Sequence, residues 1–573
     1  MKESMKNKII LFTFLLSSLI GFSQNDNVTI IYTGNREVDK AYRITENPKM
    51  IDTTLALGAT EYPLLILQYK APIRLDSIQP ATIKIDPKLE QLYHSYAKLG
   101  VGNYMMPMGE FYFDGNRSRK FNYGTHLKHI SSFSSIDGYA PSLYDRSTGS
   151  IFGTINEKNY TLKGKVNYSN KGFHYYGVEN DSIARDSIAQ RYSDVNSYFE
   201  FASHEKDSAH LNYKIGLTYN NFLSQKPYID SLSKWRGQEN YIALNSTFSY
   251  LQGKEIFGAD FDVKFNNYQY GYADSVLNQI DTGIVRNNTI VSLKPTITTF
   301  AYQNKLKAQI GVNLTVDAGT VNQFSVFPIA EAKYSFFNDL FIPFASITGG
   351  VKQNRFKVIA NENEFILPNL ILENERTPID LRFGIKGTLA KRIGFNVNAR
   401  FARVQNKALF VTDTMSSLRN KFNVIYDTMN ITTFEGSIYY QLNEKLKIDA
   451  VGRYFSYELN NNAYAWNLPQ YQIITRGSYN LFDKLIMNLD VTFEGGRKAL
   501  VYTKIDNNTV LENNQYAQNL GFIADANINL EYRYNKRLSA FLQLNNFAAQ
   551  RYKRWYNMPV QGFQVLGGLT FRF

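Results

Sequence analysis

Six histidines and no cysteine are the side chains from which a metal site, a proton shuttle or a thiol nucleophile would first be built. They are His94, His126, His129, His174, His204 and His210. His126 and His129 are three apart, which on a strand puts them on opposite faces and leaves them poorly placed to share a metal. His204 and His210 straddle a turn beside Glu205 and Asp207, where a weak surface metal site competes with the plainer reading of solvated turn residues. No G-x-S-x-G elbow, H-E-x-x-H helix or phosphate-binding loop is written in the chain. A barrel hydrolase would draw its Ser, His and Asp from separate strands, a constellation that sequence spacing hides. The expectation is a non-enzyme with no catalytic residue, no metal and no cofactor.

The elements that would position any such group are strands. From Leu520 to Tyr534, Leu520, Phe522, Ala524, Ala526, Ile528, Leu530, Tyr532 and Tyr534 alternate with Gly521, Ile523, Asp525, Asn527, Asn529, Glu531 and Arg533. That is the period of a strand with one face toward an apolar medium and one toward water. After a turn at Asn535-Lys536-Arg537 the pattern resumes with Leu538, Ala540, Leu542 and Leu544. It closes with Phe563, Val565, Gly567, Leu569, Phe571 and Phe573 set against Gln564, Gly568, Thr570 and Arg572.

Composition narrows the medium. The 573 residues are 44% hydrophobic and 15% aromatic, with 41 Tyr and 40 Phe. No apolar run after residue 22 approaches the roughly 20 residues of a membrane helix. Weak hydrophobicity with a Tyr/Phe excess suits a barrel whose lipid-facing residues are diluted by polar lumen residues. An array of soluble β-sandwiches would share that composition. The formal charge of +13 is spread along strands and turns, which argues against nucleic acid and for anionic headgroups or an anionic lumen solute.

Residues 1–23 read as a cleaved secretory signal: Lys2, Lys6 and Lys8, then an apolar run, then Gly21 and Ser23. Residues 24–95 read as an N-terminal periplasmic or lumenal arm, broken by Pro48, Pro63, Pro72, Pro80 and Pro87. Its apolar piece Leu64, Leu65, Ile66 and Leu67 must bury in the lumen or on a partner. Residues 96–573 read as hairpins in which short turns, such as Gln252-Gly253-Lys254, Gln303-Asn304-Lys305 and Phe482-Asp483-Lys484, alternate with long polar loops. The fold class expected is all-β: a transmembrane antiparallel barrel of about 22 strands, tight turns on the periplasmic side and long loops outside.

The run 544–552, continuing through Met558-Pro559 to Gly568, Leu569, Phe571 and Phe573, resembles the closing hairpin and C-terminal assembly signal of TonB-dependent outer-membrane receptors. Residues 367–376 and 381–387 look like receptor barrels of the Bacteroidota type. The resemblance implies a Gram-negative outer membrane, a multi-pass barrel and solute uptake. It also implies an amino-terminal plug and a TonB box. Only about 70 residues lie between the signal and the first strand, too few for the usual plug, and a barrel this wide is normally filled. Asn27-Val28-Thr29-Ile30-Ile31 imitates a TonB box only as any β-prone pentapeptide would.

The expected role is therefore passage or handling of a bulky solute by a plug-less barrel whose lumen a partner closes. The alternative is a structural subunit of an outer-membrane assembly, secretion or envelope complex. The partners implied are outer-membrane lipid and lipopolysaccharide, the barrel-assembly machinery and an envelope protein capping the lumen, with neither TonB nor nucleic acid. Two further features stand out. The doublet at Asp181-Ser182-Ile183-Ala184 and Asp186-Ser187-Ile188-Ala189 has a helical look, and Phe365, Ile366, Leu370 and Ile371 form an apolar pair of segments inside a supposed outer loop, read as a lid, a docking patch or simple loop packing. Tyr532, Tyr534 and Phe573 are expected to mark the periplasmic aromatic rim.

Overall fold

A computed structural model describes residues 93–573, apart from 116–117, 205–210, 225–227, 231–232, 274–279, 320–321, 415, 417, 444, 503–508 and 512–514. The signal, the arm up to residue 92 with Leu64–Leu67, the TonB-box imitation and the His210 side of the candidate metal turn lie outside the described residues.

The alternation closes on itself: 22 antiparallel strands form one barrel, each paired with its neighbours in sequence order. The first strand, Ser95–Gly102, pairs with the last, Gln564–Arg572, with Lys98 opposite Thr570 and Gly100 opposite Gly568. Such closure leaves no free edge strand, although Gln323–Tyr334 and Ile342–Lys352 pair over four residues only. Among the described residues no helix is long and apolar enough to cross a membrane.

Period two decides which side chain faces where. Leu99, Val101, Ile151, Val166, Phe199, Leu217, Ile310, Phe434, Leu569 and Phe571 stand exposed on the outer wall, as a surface solvated by lipid requires. The alternate positions point inward and pair their charges across strands: Lys163 and Lys214 both reach Glu200 at 2.9 Å, Lys294 reaches Asp262 at 2.9 Å, and Arg400 reaches Asp380 at 2.7 Å. The facing expected for Ile528–Tyr532, Leu538–Leu544 and Val565–Phe571 is the one observed, whereas Leu520 precedes its strand and is buried with Ala499 and Val501.

The short turns need left-handed backbone, which Asn and Asp tolerate and which Tyr302, Gln303, Phe337 and Phe482 also adopt. Asn304, Asn338, Asp339, Asn443 and Asp483 all have positive φ. Each of several such turns carries an exposed aromatic: Tyr302, Phe337, Phe482 and Tyr534. Phe573 shares this end, because its strand runs beside the Asn535 turn, where the Arg572 amide donates to the Arg537 carbonyl at 2.7 Å.

Pro107 sits in Met106–Asp114 opposite Val101, on the outer face. Two local expectations are corrected. The Asp-Ser-Ile-Ala doublet forms no helix beyond a single 3-10 turn, Arg185–Ser187, because Ile188 buries itself while the charges remain in solvent. The supposed open loop at 354–378 contains the helix Phe356–Glu362 and gives its C-terminal part to a strand, Glu375–Ala390.

The seam between first and last strands tolerates no side chain at Gly568. A Cβ there would lie 2.0 Å from the Leu99 carbonyl oxygen and 2.6 Å from the Gly100 Cα, both backbone atoms that cannot swing aside. Gly568→Val is expected to prevent closure, seen as loss of the fast-migrating folded species in unheated gel electrophoresis.

Candidate functional site

The lumen faces of five consecutive strands change character near the long-loop end. Below it they carry Lys, Glu, Asp and Asn; at it they carry Phe173, Tyr192, Phe222, Tyr241 and Tyr268. Aromatic rings facing an aqueous lumen would be costly, and they are covered. The cover is residues 353–374, which leave the wall between Ile342–Lys352 and Glu375–Ala390.

Its helix, Phe356–Glu362, places Phe356, Ile359 and Ala360 on one buried face at the i, i+3, i+4 spacing. Phe356 is fully buried, with ring centroids 5.2 Å from Phe222, 5.4 Å from Tyr268 and 6.0 Å from Tyr192. Gly237 makes the approach possible: a Cβ there would come 2.9 Å from the Phe356 ring and 3.1 Å from the Pro368 carbonyl oxygen. The chain that follows stays inside. Tyr192 donates to the Glu364 carbonyl at 3.1 Å, Tyr175 to the Ile366 carbonyl at 3.1 Å, and Tyr268 to the Pro368 carbonyl.

The opposite wall holds the far side of the same segment. Phe422 begins the sixteenth strand, Phe422–Leu442; its amide donates to the Phe365 carbonyl at 3.0 Å and its carbonyl accepts from the Leu367 amide at 2.9 Å. Tyr426 donates to the Ile371 carbonyl at 2.9 Å. Held by the fourth to ninth strands on one side and the sixteenth on the other, residues 353–374 cross the barrel mouth as a lid. Of the apolar residues singled out from sequence, Phe365, Ile366 and Leu370 are buried in this joint and Ile371 is exposed.

Ion pairs fix the lid's charged edge. Arg355 lies 3.6 Å from the fully buried Glu239 carboxylate and stacks on Tyr241 with its guanidinium 3.6 Å from the ring centre. Glu239 also sits against the first turn of the helix, near the Phe356 and Lys357 amides. Lys357 pairs with Asp194 at 2.9 Å and Arg146 with Glu364 at 3.3 Å, both more exposed.

The loop residue Lys421 lies beside this joint with its ammonium 5.0 Å from the centre of the Tyr175 ring. Burial penalises its charge and pushes its pKa from 10.5 down to about 7. Between those two values an opened, solvated Lys421 holds a proton that the packed one has lost, so closure tightens as pH rises and the penalty is complete below pH 7. Fluorescence of Trp555, whose ring packs on Phe410 and Phe422, is expected to report a tighter joint at pH 9 than at pH 6 in a chain lacking the other tryptophans. Lys421→Met should remove that dependence.

Of the described histidines, His126, His129 and His204 contact neighbouring polar side chains. His126 faces the lumen and contacts Glu110 at 2.8 Å, while His129 faces outward and contacts Ser147 at 2.8 Å, the opposite faces expected from their spacing. His204 contacts Thr161 at 2.6 Å. Among the described residues no group of three or more His, Asp or Glu is arranged to hold a metal. Gly568, Leu569 and Phe571 lie in the closing strand, and Tyr532 and Tyr534 stand exposed on the outer wall at the short-turn end.

The closed 22-stranded barrel is a fold this chain has in common with solved structures. No family model and no curated protein matches the sequence. The pyoverdine outer membrane receptor FpvA from Pseudomonas aeruginosa PAO1 is similar in fold, with a TM-score of 0.61 at 12% identity over 85% of this chain and 79% of that one. The siderophore receptor PirA from Acinetobacter baumannii gives 0.62 at 11% identity over 85% and 81%. The FrpB iron transporter from Neisseria meningitidis gives 0.61 at 9% identity over 85% and 82%. At these identities the likeness is one of fold.

Proposed function

We propose that this chain is an outer-membrane barrel of the TonB-dependent-receptor type that admits a bulky solute through a mouth gated by its own lid, and that it is not an enzyme. The long loops face outward and the aromatic turns face the periplasm. The observation that carries the reading is the lid 353–374, which spans the mouth through a short helix and a ring of wall tyrosines. Beneath it the paired lumen charges offer a hydrated path for a polar solute. The fold it shares with siderophore and iron receptors makes a metal-chelate cargo the first class to try.

In this reading no folded plug accompanies the barrel, and an envelope partner, removed on purification, closes the periplasmic end without TonB. Planar-bilayer recordings of the purified chain test it. Brief, low-conductance openings that become long on loosening the lid are expected. A large constant conductance in the wild type would contradict a lid that closes. Silence in both forms, with a stoichiometric partner retained through purification, would instead favour a structural subunit of an envelope complex.

A further inference from the structure

The outer wall between the fourth and seventh strands, Tyr144–Asn156, Tyr160–His174, Ala189–Ser203 and Leu211–Ser224, is not evenly covered with side chains. Gly153 and Gly164 are paired across two of these strands, both facing outward, and Ser197 pairs with Val166 on the next level. Together they leave a trough of about 540 Å³, walled by Ile151, Val166, Phe199, Leu217 and Tyr219. Its lining is almost wholly apolar, and its floor is bare backbone.

Further toward the long-loop end on the same outer face, the apolar wall gives way to a hydrogen-bonding cluster. Asn170 and Ser193 donate to the Tyr168 hydroxyl at 3.1 and 3.4 Å, and His129 meets Ser147 at 2.8 Å. Arg191 pairs with Asp145 through two contacts, at 2.8 and 2.5 Å, and also donates to Asn170. The pairing cancels the one full positive charge in the cluster. What remains is a neutral surface of hydroxyls, amides and an imidazole, suited to sugar hydroxyls more than to a bare phosphate.

We infer that this trough and cluster form a binding site for one acylated glycolipid of the leaflet at the long-loop end. One acyl chain lies over Gly153 and Gly164, and the sugar meets Tyr168, Asn170, Ser193 and His129. The volume is that of a small-molecule site. The order of the two parts along the wall, apolar toward mid-membrane and polar toward the loops, is the order of chain and headgroup in a leaflet. The assignment rests on the proposed orientation of the barrel but not on the lid, so loss of gating leaves it standing.

Native mass spectrometry of the full detergent-solubilised chain tests the site, with lipid A and phosphatidylethanolamine as probes. The wild type is expected to retain one lipid A under conditions that strip phosphatidylethanolamine. A Cβ at Gly164 meets nothing within 4 Å, so Gly164→Leu fills the trough without disturbing the wall. It should lower retention about tenfold, the loss expected when about two methylenes forfeit their contact. Gly452→Leu, at another outward glycine with open space, should leave retention unchanged. Tyr168→Phe with Ser193→Ala should erase the preference for lipid A. Equal retention of phosphatidylethanolamine by the wild type, undiminished binding in Gly164→Leu, or equal loss in Gly452→Leu would each overturn the assignment.

Discussion

Truncating Phe356 to alanine is expected to convert a mostly closed barrel into one that conducts for long periods, while the wall stays folded. The helix that carries Phe356 has seven residues, Phe356–Glu362, too short to be stable through its own hydrogen bonds. What holds it is burial of its apolar face on the wall. Phe356 is the centre of that face, fully buried and in contact with rings from three different strands. Removing a buried phenyl group costs about 3–5 kcal/mol, which at about 1.4 kcal/mol per factor of ten raises the open population by about a hundredfold or more.

The barrel itself does not depend on that ring, because each strand is paired on both sides and the register is fixed by its outward alternation. The folded band in unheated electrophoresis should therefore survive in Phe356→Ala, and channel dwell times should change. Phe356→Leu keeps most of the volume and should cost under about 1.5 kcal/mol, giving an intermediate dwell time. A Phe356→Ala barrel that remains folded and silent would mean that something other than residues 353–374 keeps the lumen closed.

The wall was readable in the sequence because each strand carries its own evidence: a charge such as Asp525 or Glu531 on the wrong side would meet lipid, so local alternation fixes the face. Turn chemistry added the rest, with Asn and Asp marking the left-handed positions. The lid was readable only as one of three alternatives for Phe365, Ile366, Leu370 and Ile371, because nothing near Phe356 or Ile366 in sequence tells what they touch. Their partners, Tyr268 and Phe422, come from the ninth and sixteenth strands, far apart in sequence and round the barrel. A signal did exist. On these strands the lumen positions nearer the short turns are mostly polar, as with Lys163, Glu200, Lys214 and Asp262, so the turn to Phe173, Tyr192, Phe222 and Tyr268 on inward faces announces something apolar inside the mouth. The aromatics at the turns, Tyr302, Phe337 and Phe482, likewise extend the rim beyond the tyrosines expected from the C-terminal hairpin.

Glu239→Leu is expected to loosen the lid about as much as losing the Phe356 ring, for an electrostatic reason. The three ion pairs on the lid differ chiefly in exposure. Arg146–Glu364 has a half-exposed arginine, so its contribution falls in the range of about 0–1 kcal/mol found for surface pairs. Lys357–Asp194 is partly covered, whereas the Glu239 side chain has no exposure at all and its Arg355 partner has 16%. Removing one member of a buried pair costs about 3–5 kcal/mol, because the other charge is left in a poorly solvated place. The Tyr241 ring under Arg355 recovers only about 0.5–2 kcal/mol of that. Removing both charges together should therefore be milder than removing one. Glu239→Leu with Arg355→Met is expected to regain most of the closed time, and the single variant should keep its effect in high salt because a buried pair is weakly screened. Dwell times from the two single variants and the double variant decide the matter: equal openness of single and double variants would show that Glu239 acts by packing alone, and Asp194→Asn as disruptive as Glu239→Leu would show that exposure does not rank these pairs.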